Sequence, residues 1–283
     1  MNPASQTTAG ELTIPKIIWI FWQQGVENAP ALVRQCVASW KKYNPEWQVI
    51  VLDEQNMAQH AVIPPVTREN CVKVSRQALS EVLRINLLAQ HGGVWADATC
   101  LCCQPLDKWL HDCTRSGFFA FAQPAKDRLL SSWFLVARQS CPLTRVCAEM
   151  VNDYFAHNAR PLKSRFAKSI AKRLVKIAMC SPRLASYLVH PRLVKTFPVN
   201  PYFCFQYIFY RMIATNEQCR RIWEATPKIS ADGPHAMQHQ ARNPITPDIQ
   251  AIINARRDPV YKLNWRLKNW PPDSVLEYLL RTV

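Results

Sequence analysis

Glycine is scarce in this chain. Six of its 283 residues are Gly against 21 Pro, which excludes a Gly-rich or low-complexity chain. No uninterrupted apolar run reaches about 18 residues, so no transmembrane helix is predicted. Residues 1–13 are polar and lack the charged-then-apolar order of an export signal, so the expectation is a disordered N-terminus on a cytoplasmic protein. Acid is missing from one long stretch: between Tyr154 and Asn216 there is no Asp or Glu, yet there are 11 Lys or Arg. A disulfide framework is missing too. The 11 Cys are odd in number and irregularly spaced, which reads as reduced thiols, mostly packed in a core. Cys100, Cys102 and Cys103 invite a zinc reading, but they fall in a predicted strand that points Cys103 away from the other two. A second ligand pair at zinc spacing does not stand nearby.

What is present suits one sizeable domain, predicted over residues 14–283. The chain is 48% hydrophobic and 10% aromatic, and its formal charge is +15. That charge calls for an anionic partner: nucleic acid, membrane or phosphorylated substrate. Lys16 to Trp22 and Trp47 to Leu52 are short continuous apolar runs, the pattern of buried parallel strands. Between them, Asn28 as N-cap and Pro30 in the first turn predict a helix to Tyr43. Strand, helix, strand opens a nucleotide-binding α/β sheet, with Asp53 at the carboxyl end of the second strand. Val94 to Cys103, Phe118 to Ala122 and Trp133 to Ala137 read as further strands. Beyond Pro142 the pattern is mostly helical, ending in a helix near Ser274 to Leu280.

Val74 to His91 is the clearest helix. Ala78, Leu79, Val82 and Leu83 form an apolar arc, while Gln77, Ser80, Glu81 and Arg84 fall within about 100° on the other side. Gly92 and Gly93 stop it. Asp97 then follows the buried strand Gly93-Val94-Trp95-Ala96, and a carboxylate at a strand end can hold a divalent metal across a diphosphate. A turn or cap Asp would look the same in isolation.

The combination is more specific. Ala78-Leu79-Ser80-Glu81-Val82-Leu83-Arg84 followed by Gly92-Gly93-Val94-Trp95-Ala96-Asp97-Ala98-Thr99 resembles the core of the capsular-polysaccharide-synthesis glycosyltransferases. These are relatives of the fungal initiating mannosyltransferases and the large clostridial glucosylating toxins, which share a DxD sugar-binding region. Ile14 to Gly25 resembles the family's first strand, and Pro259-Val260-Tyr261-Lys262-Leu263-Asn264-Trp265 its C-terminal element.

The resemblance implies a GT-A type fold: an α/β domain with a mostly parallel twisted sheet and a helical C-terminal part. It implies a retaining enzyme that moves a hexose or N-acetylhexosamine from a nucleotide diphosphate sugar to a lipid-linked or growing surface polysaccharide. Trp22 matches the aromatic residue that stacks on the nucleobase, with Trp19 as the neighbouring candidate; both also suit a core. Glu81 and Arg84 match a pair that holds donor hydroxyls and phosphate, with Ser80 beside them. Asp97 matches the first acid of the DxD pattern. Thr99 stands where the second acid is usual, which weakens the implied Mn²⁺ or Mg²⁺ site, and Lys262 or Arg84 is an alternative source of positive charge. Trp95 is a candidate for the ribose pocket, and Lys262 and Trp265 for the diphosphate. His235 and His239 are candidates for a late metal or phosphate contact, and Ser132 for a contact to the sugar.

The acid-free segment, about 155–215, admits rival partners. Lys163 to Met179 is a basic amphipathic stretch with Phe166, Ile170, Leu174 and Ile177 on one side. Its aromatic residues follow the basic run rather than interleave with it, and no nucleic-acid-binding motif is found, which argues against nucleic acid. A basic amphipathic helix lying on the anionic inner leaflet fits better. The missing second carboxylate also leaves open a non-catalytic protein that binds sugar nucleotides.

Overall fold

The computed structural model describes residues 13–158, 164–196 and 200–283. The expected disordered N-terminus and Lys163 lie outside the described residues, apart from Thr13. The chain first forms β1 (Ile17–Phe21), α1 (Ala31–Tyr43), β2 (Gln48–Leu52), α2 (Met57–His60), α3 (Pro65–Val74), α4 (Arg76–His91), β3 (Gly93–Ala96) and β4 (Cys100–Cys102). Then come α5 (Leu110–Cys113), β5 (Phe118–Ala125), β6 (Arg128–Ala137), α6 (Pro142–His157), α7 (Arg165–Ala178), α8 (Pro182–Tyr187) and α9 (Pro191–Thr196). The last elements are α10 (Cys204–Thr215), α11 (Glu217–Ala225), α12 (Asp232–Gln240), α13 (Pro247–Ala255), β7 (Val260–Lys262) and α14 (Val275–Thr282).

Five strands form a central sheet in the order β2-β1-β3-β6-β5. β2, β1 and β3 pair in parallel, and β6 runs antiparallel to both β3 and β5. Within this sheet every strand but β6 therefore points one way. Period-2 alternation splits the sheet's side chains between two cores. Trp19, Phe21, Trp95 and Leu135 face α4, α6 and α10. Ile18, Ile20, Val94, Phe134 and Val136 face Val33, Val37 and Trp40 of α1. A third core joins Leu101, Tyr261 and Leu263 to Met237 of α12, Ile253 of α13 and Leu276 and Leu279 of α14.

Three expectations need correction. The apolar run Trp47 to Leu52 forms an edge strand, not a buried one; Trp47 just before it is buried, but within β2 only Leu52 is. Helix α1 starts after Pro30, while Asn28 closes a 3₁₀ turn and donates its side-chain amide to the Gln24 carbonyl. The single strand predicted over Val94 to Cys103 is two. Asp97 N still donates to Trp133 O, but Cys100 N turns back to Asp97 O, and β4 leaves the sheet to pair with β7. The expected split of the cysteines holds: Cys100 and Cys102 share one core and Cys103 lies in another. Burial pushes the Cys100 and Cys102 thiols up to about 12, so both stay protonated at neutral pH.

The turn before β3 depends on glycine. Gly92 and Gly93 adopt φ of +70° and +91°, and a Cβ on Gly93 would stand 2.6 Å from the Ile17 carbonyl oxygen. This tight turn sends α4 straight back into β3, so the polar side of the helix looks onto the strand's carboxyl end.

Candidate functional site

Because β1, β2 and β3 are parallel, their carboxyl ends share one edge of the sheet, the usual place for ligands in such sheets. Trp22, Asp53 and Asp97 follow directly on those three strands. Asp53 is spent on its own turn: Oδ1 accepts from the backbone N–H of Gln55 and Asn56 at 2.8 and 2.9 Å. Asp97 is the centre of a larger cluster.

Asp97 Oδ1 accepts from Arg84 Nη2 at 3.2 Å and from Trp95 Nε1 at 3.0 Å. Oδ2 accepts from Lys262 Nζ at 3.0 Å, and the same ammonium donates to Thr99 Oγ1 at 2.6 Å. The register of β4 and β7 explains this meeting. Lys262 stands opposite Cys100, and Leu263 N donates to Thr99 O, so the ammonium lies beside the Asp97-Ala98-Thr99 turn. Arg84 is clamped from α4. Its Nη1 donates to Ser132 O and its Nη2 also to Ser80 Oγ, both at 3.0 Å, while its guanidinium lies 5.2 Å from the Trp95 ring centre. Two cations face one carboxylate, so the cluster carries one net positive charge. It is not sealed: the Asp97 side chain is 26% exposed and that of Lys262 18%.

The titration shifts follow from this. Burial by itself would raise the Asp97 carboxyl, but Lys262, then Arg84, then the Trp95 N–H outweigh it and hold the group below the usual carboxylate range. Burial would lower Lys262, and Asp97 pushes it above its ordinary value. Glu81 behaves differently. It does not meet Arg84 as a surface pair; the two are 1% and 4% exposed and turn apart. Glu81 accepts from Gln77 Nε2 at 3.1 Å and from the Cys204 thiol at 3.2 Å. Burial raises its carboxyl, with Arg84 as the main opposing influence. It borders a cleft of about 530 Å³ between α4 and the segment carrying Asn200, Tyr202 and Cys204. The approach of Cys204 to Glu81 was invisible in the sequence, since 123 residues separate them.

The other candidates divide. Trp22 is half-buried, its ring 6.1 Å from that of the exposed Trp265, and its buried Nε1 has no hydrogen-bond partner among the described residues. These two indoles stand beyond β1 and β7. Trp19 is 2% exposed, donates to Gly92 O and packs on His60 and His91, which places it in the core. Ser132 contributes its carbonyl to Arg84, while its hydroxyl accepts from Gln206 Nε2 at 3.0 Å. Gln206 is a neighbour that sequence reading missed, because only the packing of α10 on β6 brings it there.

His235 lies against Trp133, 5.4 Å between ring centres, and His239 is exposed. The His235 Nδ1 sits 2.8 Å from the Ala231 carbonyl, which only accepts, so that nitrogen carries the proton. Burial lowers its pKa, against the Ala231 bond and with Lys262 adding to the effect, which keeps the ring neutral. Asp97, His235 and His239 do not assemble into a metal site. Among the described residues no three His, Cys, Asp or Glu side chains form one. Both oxygens of Asp97 already accept from cations, and Lys262 Nζ occupies the space between Asp97 and Thr99 that a bridging ion would need. The arrangement does not fit a divalent metal, for the physical reason that an ammonium already stands there.

The comparisons point to the same family of proteins. The sequence model described as "Capsular polysaccharide synthesis protein" matches residues 3–170, more than half of the chain. The chain is similar to "Glycosyltransferase afumC" of Aspergillus fumigatus, 33% identical over 101 residues that cover 32% of this chain and 26% of the relative. It is also similar to "O-glycosyltransferase braB" of Annulohypoxylon truncatum, 26% identical over 102 residues, 32% of this chain and 24% of that one. The matches thus span about a quarter of the length of these relatives. Among solved structures, "PaToxG Glycosyltransferase" superposes with a TM-score of 0.39 at 12% identity, covering 74% of this chain and 75% of the other, a likeness too loose to argue from.

Proposed function

Since the chain belongs to the capsular polysaccharide synthesis family, we propose that it is a GT-A type glycosyltransferase whose donor is a nucleoside diphosphate sugar. The observation that carries this reading is the excess of one positive charge at the carboxyl end of β3, where Lys262 and Arg84 share the single carboxylate of Asp97. A partly desolvated net cation at a sheet's ligand edge favours an anion, and a diphosphate is the anion that a sugar donor brings.

The residues divide the work as follows. Trp22, with Trp265 beside it, offers a π face for the base. Lys262 and Arg84 stabilise negative charge as it builds on the departing nucleoside diphosphate. They are held in place beforehand by Asp97, Thr99, Ser80 and the Ser132 carbonyl, so little reorganisation is required. Asp97 retains accepting capacity for a sugar or ribose hydroxyl. Glu81 accepts from a second hydroxyl reaching from the cleft. Transfer proceeds with retention of anomeric configuration, and catalysis rests on positioning and charge stabilisation. The acceptor is a lipid-linked or growing surface polysaccharide presented at the inner face of a bacterial cytoplasmic membrane.

Calorimetric titration with UDP-, GDP- and CMP-linked sugars tests the donor class. Binding of a nucleoside diphosphate sugar in preference to the CMP-linked, monophosphate kind is expected. Failure of every diphosphate donor to bind would remove the reading.

A further inference from the structure

Helix α7 carries more apolar surface than the protein covers. Its Ala171 and Ala178 are buried and Val175 packs on the main core. Adjacent to that covered strip, Phe166, Ile177, Ile170 and Leu174 occupy an arc of about 80° at 100° per residue. That arc is open: Phe166 is 75% exposed and Ile177 66%. On its far side stand Arg173, Lys176, Arg165 and Lys172, all exposed. Exposed Met179, Leu184 and Tyr187 continue the apolar surface toward and into α8. The whole surface falls within the stretch that has no Asp or Glu.

We infer that this surface is a docking site for an anionic phospholipid bilayer. Helix α7 lies in the plane of the interface, with Phe166 and Ile177 beneath the headgroups and its cations among the lipid phosphates. Three occupants compete for such a face, and charge separates them. A second copy of the chain would set cations against cations. A nucleic acid would satisfy the cations but give the open aromatic and aliphatic side chains nothing to bury against. An anionic bilayer satisfies both, because its phosphates lie directly above its hydrocarbon. The inference deepens, and rests on, the membrane-facing acceptor reading, but it uses no residue of the Asp97 cluster.

Flotation of the full chain with vesicles tests it. With phosphatidylglycerol mixed into phosphatidylcholine, the protein is expected to float at low salt. It should stay behind with phosphatidylcholine alone, and high salt should release it. The double substitution Phe166→Glu and Ile177→Glu should weaken vesicle binding by about tenfold or more. Lys172→Glu with Lys176→Glu should do the same, which keeps the test decisive if the first variant folds poorly. Donor binding is read on the same samples and should be unchanged, so loss of lipid binding and loss of the donor site are distinguishable. Absence of flotation at low salt would overturn the inference. So would variants that float as well as the wild type, equal competition by duplex DNA, or a dimer in sedimentation that both variants abolish.

Discussion

Lys262 and Asp97, 165 residues apart, meet at 3.0 Å, and the Lys262 ammonium also holds Thr99 Oγ1 at 2.6 Å. A positive charge thus stands between the first position of the DxD-like motif and the third. Nucleotide binding is therefore expected to persist in EDTA and to change little on adding Mn²⁺, while Lys262→Ala weakens it by about tenfold or more, a loss of ~1.4 kcal/mol. Calorimetry with UDP and GDP measures this. A wild-type protein that binds neither until Mn²⁺ is supplied would contradict it.

The pair also predicts a pH profile. The folded Asp97 carboxyl lies below its unfolded value, so its contribution to stability is present above about pH 3.9 and is lost as pH falls through the lower folded value. The folded Lys262 ammonium lies above its unfolded value, so its contribution is present below about pH 10.4 and is lost as pH rises through the higher folded value. Wild type minus Lys262→Met, followed by urea denaturation, should show its largest stability difference between these limits and converge outside them. A difference independent of pH would show that Lys262 acts through packing instead.

Glu81 should behave in the opposite sense to Asp97. Burial raises its carboxyl, so its favourable contribution is present at acid pH and is lost as pH rises through the raised folded value. Glu81→Gln should therefore gain in melting temperature relative to wild type as pH climbs from about 4 to 8. If Glu81 accepts from a donor hydroxyl, kcat/KM falls at the same time by about tenfold or more. A variant uniformly less stable at every pH would contradict the titration argument.

Trp22 is the predicted base platform. Its half-buried ring, its indole N–H without a partner among the described residues and its exposed neighbour Trp265 suit a ligand better than a core. Trp22→Ala should raise the dissociation constant for a nucleotide by about tenfold, within the ~1–3 kcal/mol typical of a base on an aromatic ring. Trp19→Phe should instead lower thermal stability, because Trp19 is buried and donates to Gly92 O. The reverse outcome would exchange their roles.

The parts of the fold set by local pattern were readable before the structure. The apolar run at β1, the polar-apolar division of α4 and the Gly92-Gly93 turn each depend on neighbours within a few residues. What escaped depends on distant partners. Asp97 could be placed after the apolar Gly93-Val94-Trp95-Ala96, but nothing local shows that Cys100 to Cys102 leave the sheet, because their partner is β7, brought in from more than 150 residues away. The same pairing sets Lys262 against Asp97, a contact suggested only as a shared phosphate site. Likewise Glu81 and Arg84 look like partners on a helical wheel, yet Ser132, Asp97 and Cys204 from other elements draw them apart.

The most direct measurement is release of nucleoside diphosphate from the donor that binds best, followed in wild type, Asp97→Asn and Asp53→Ala. Asp97→Asn should retain little or no turnover. It should also unfold more easily, since breaking a buried ion pair costs about 3–5 kcal/mol when fully buried and less where a quarter of the carboxylate is exposed. Asp53→Ala should lose only the turn it caps, roughly 0.5–2 kcal/mol, and keep its turnover. Turnover that survives in a folded Asp97→Asn, or that vanishes in a folded Asp53→Ala, would contradict the assignment of the active centre to Asp97, Lys262 and Arg84.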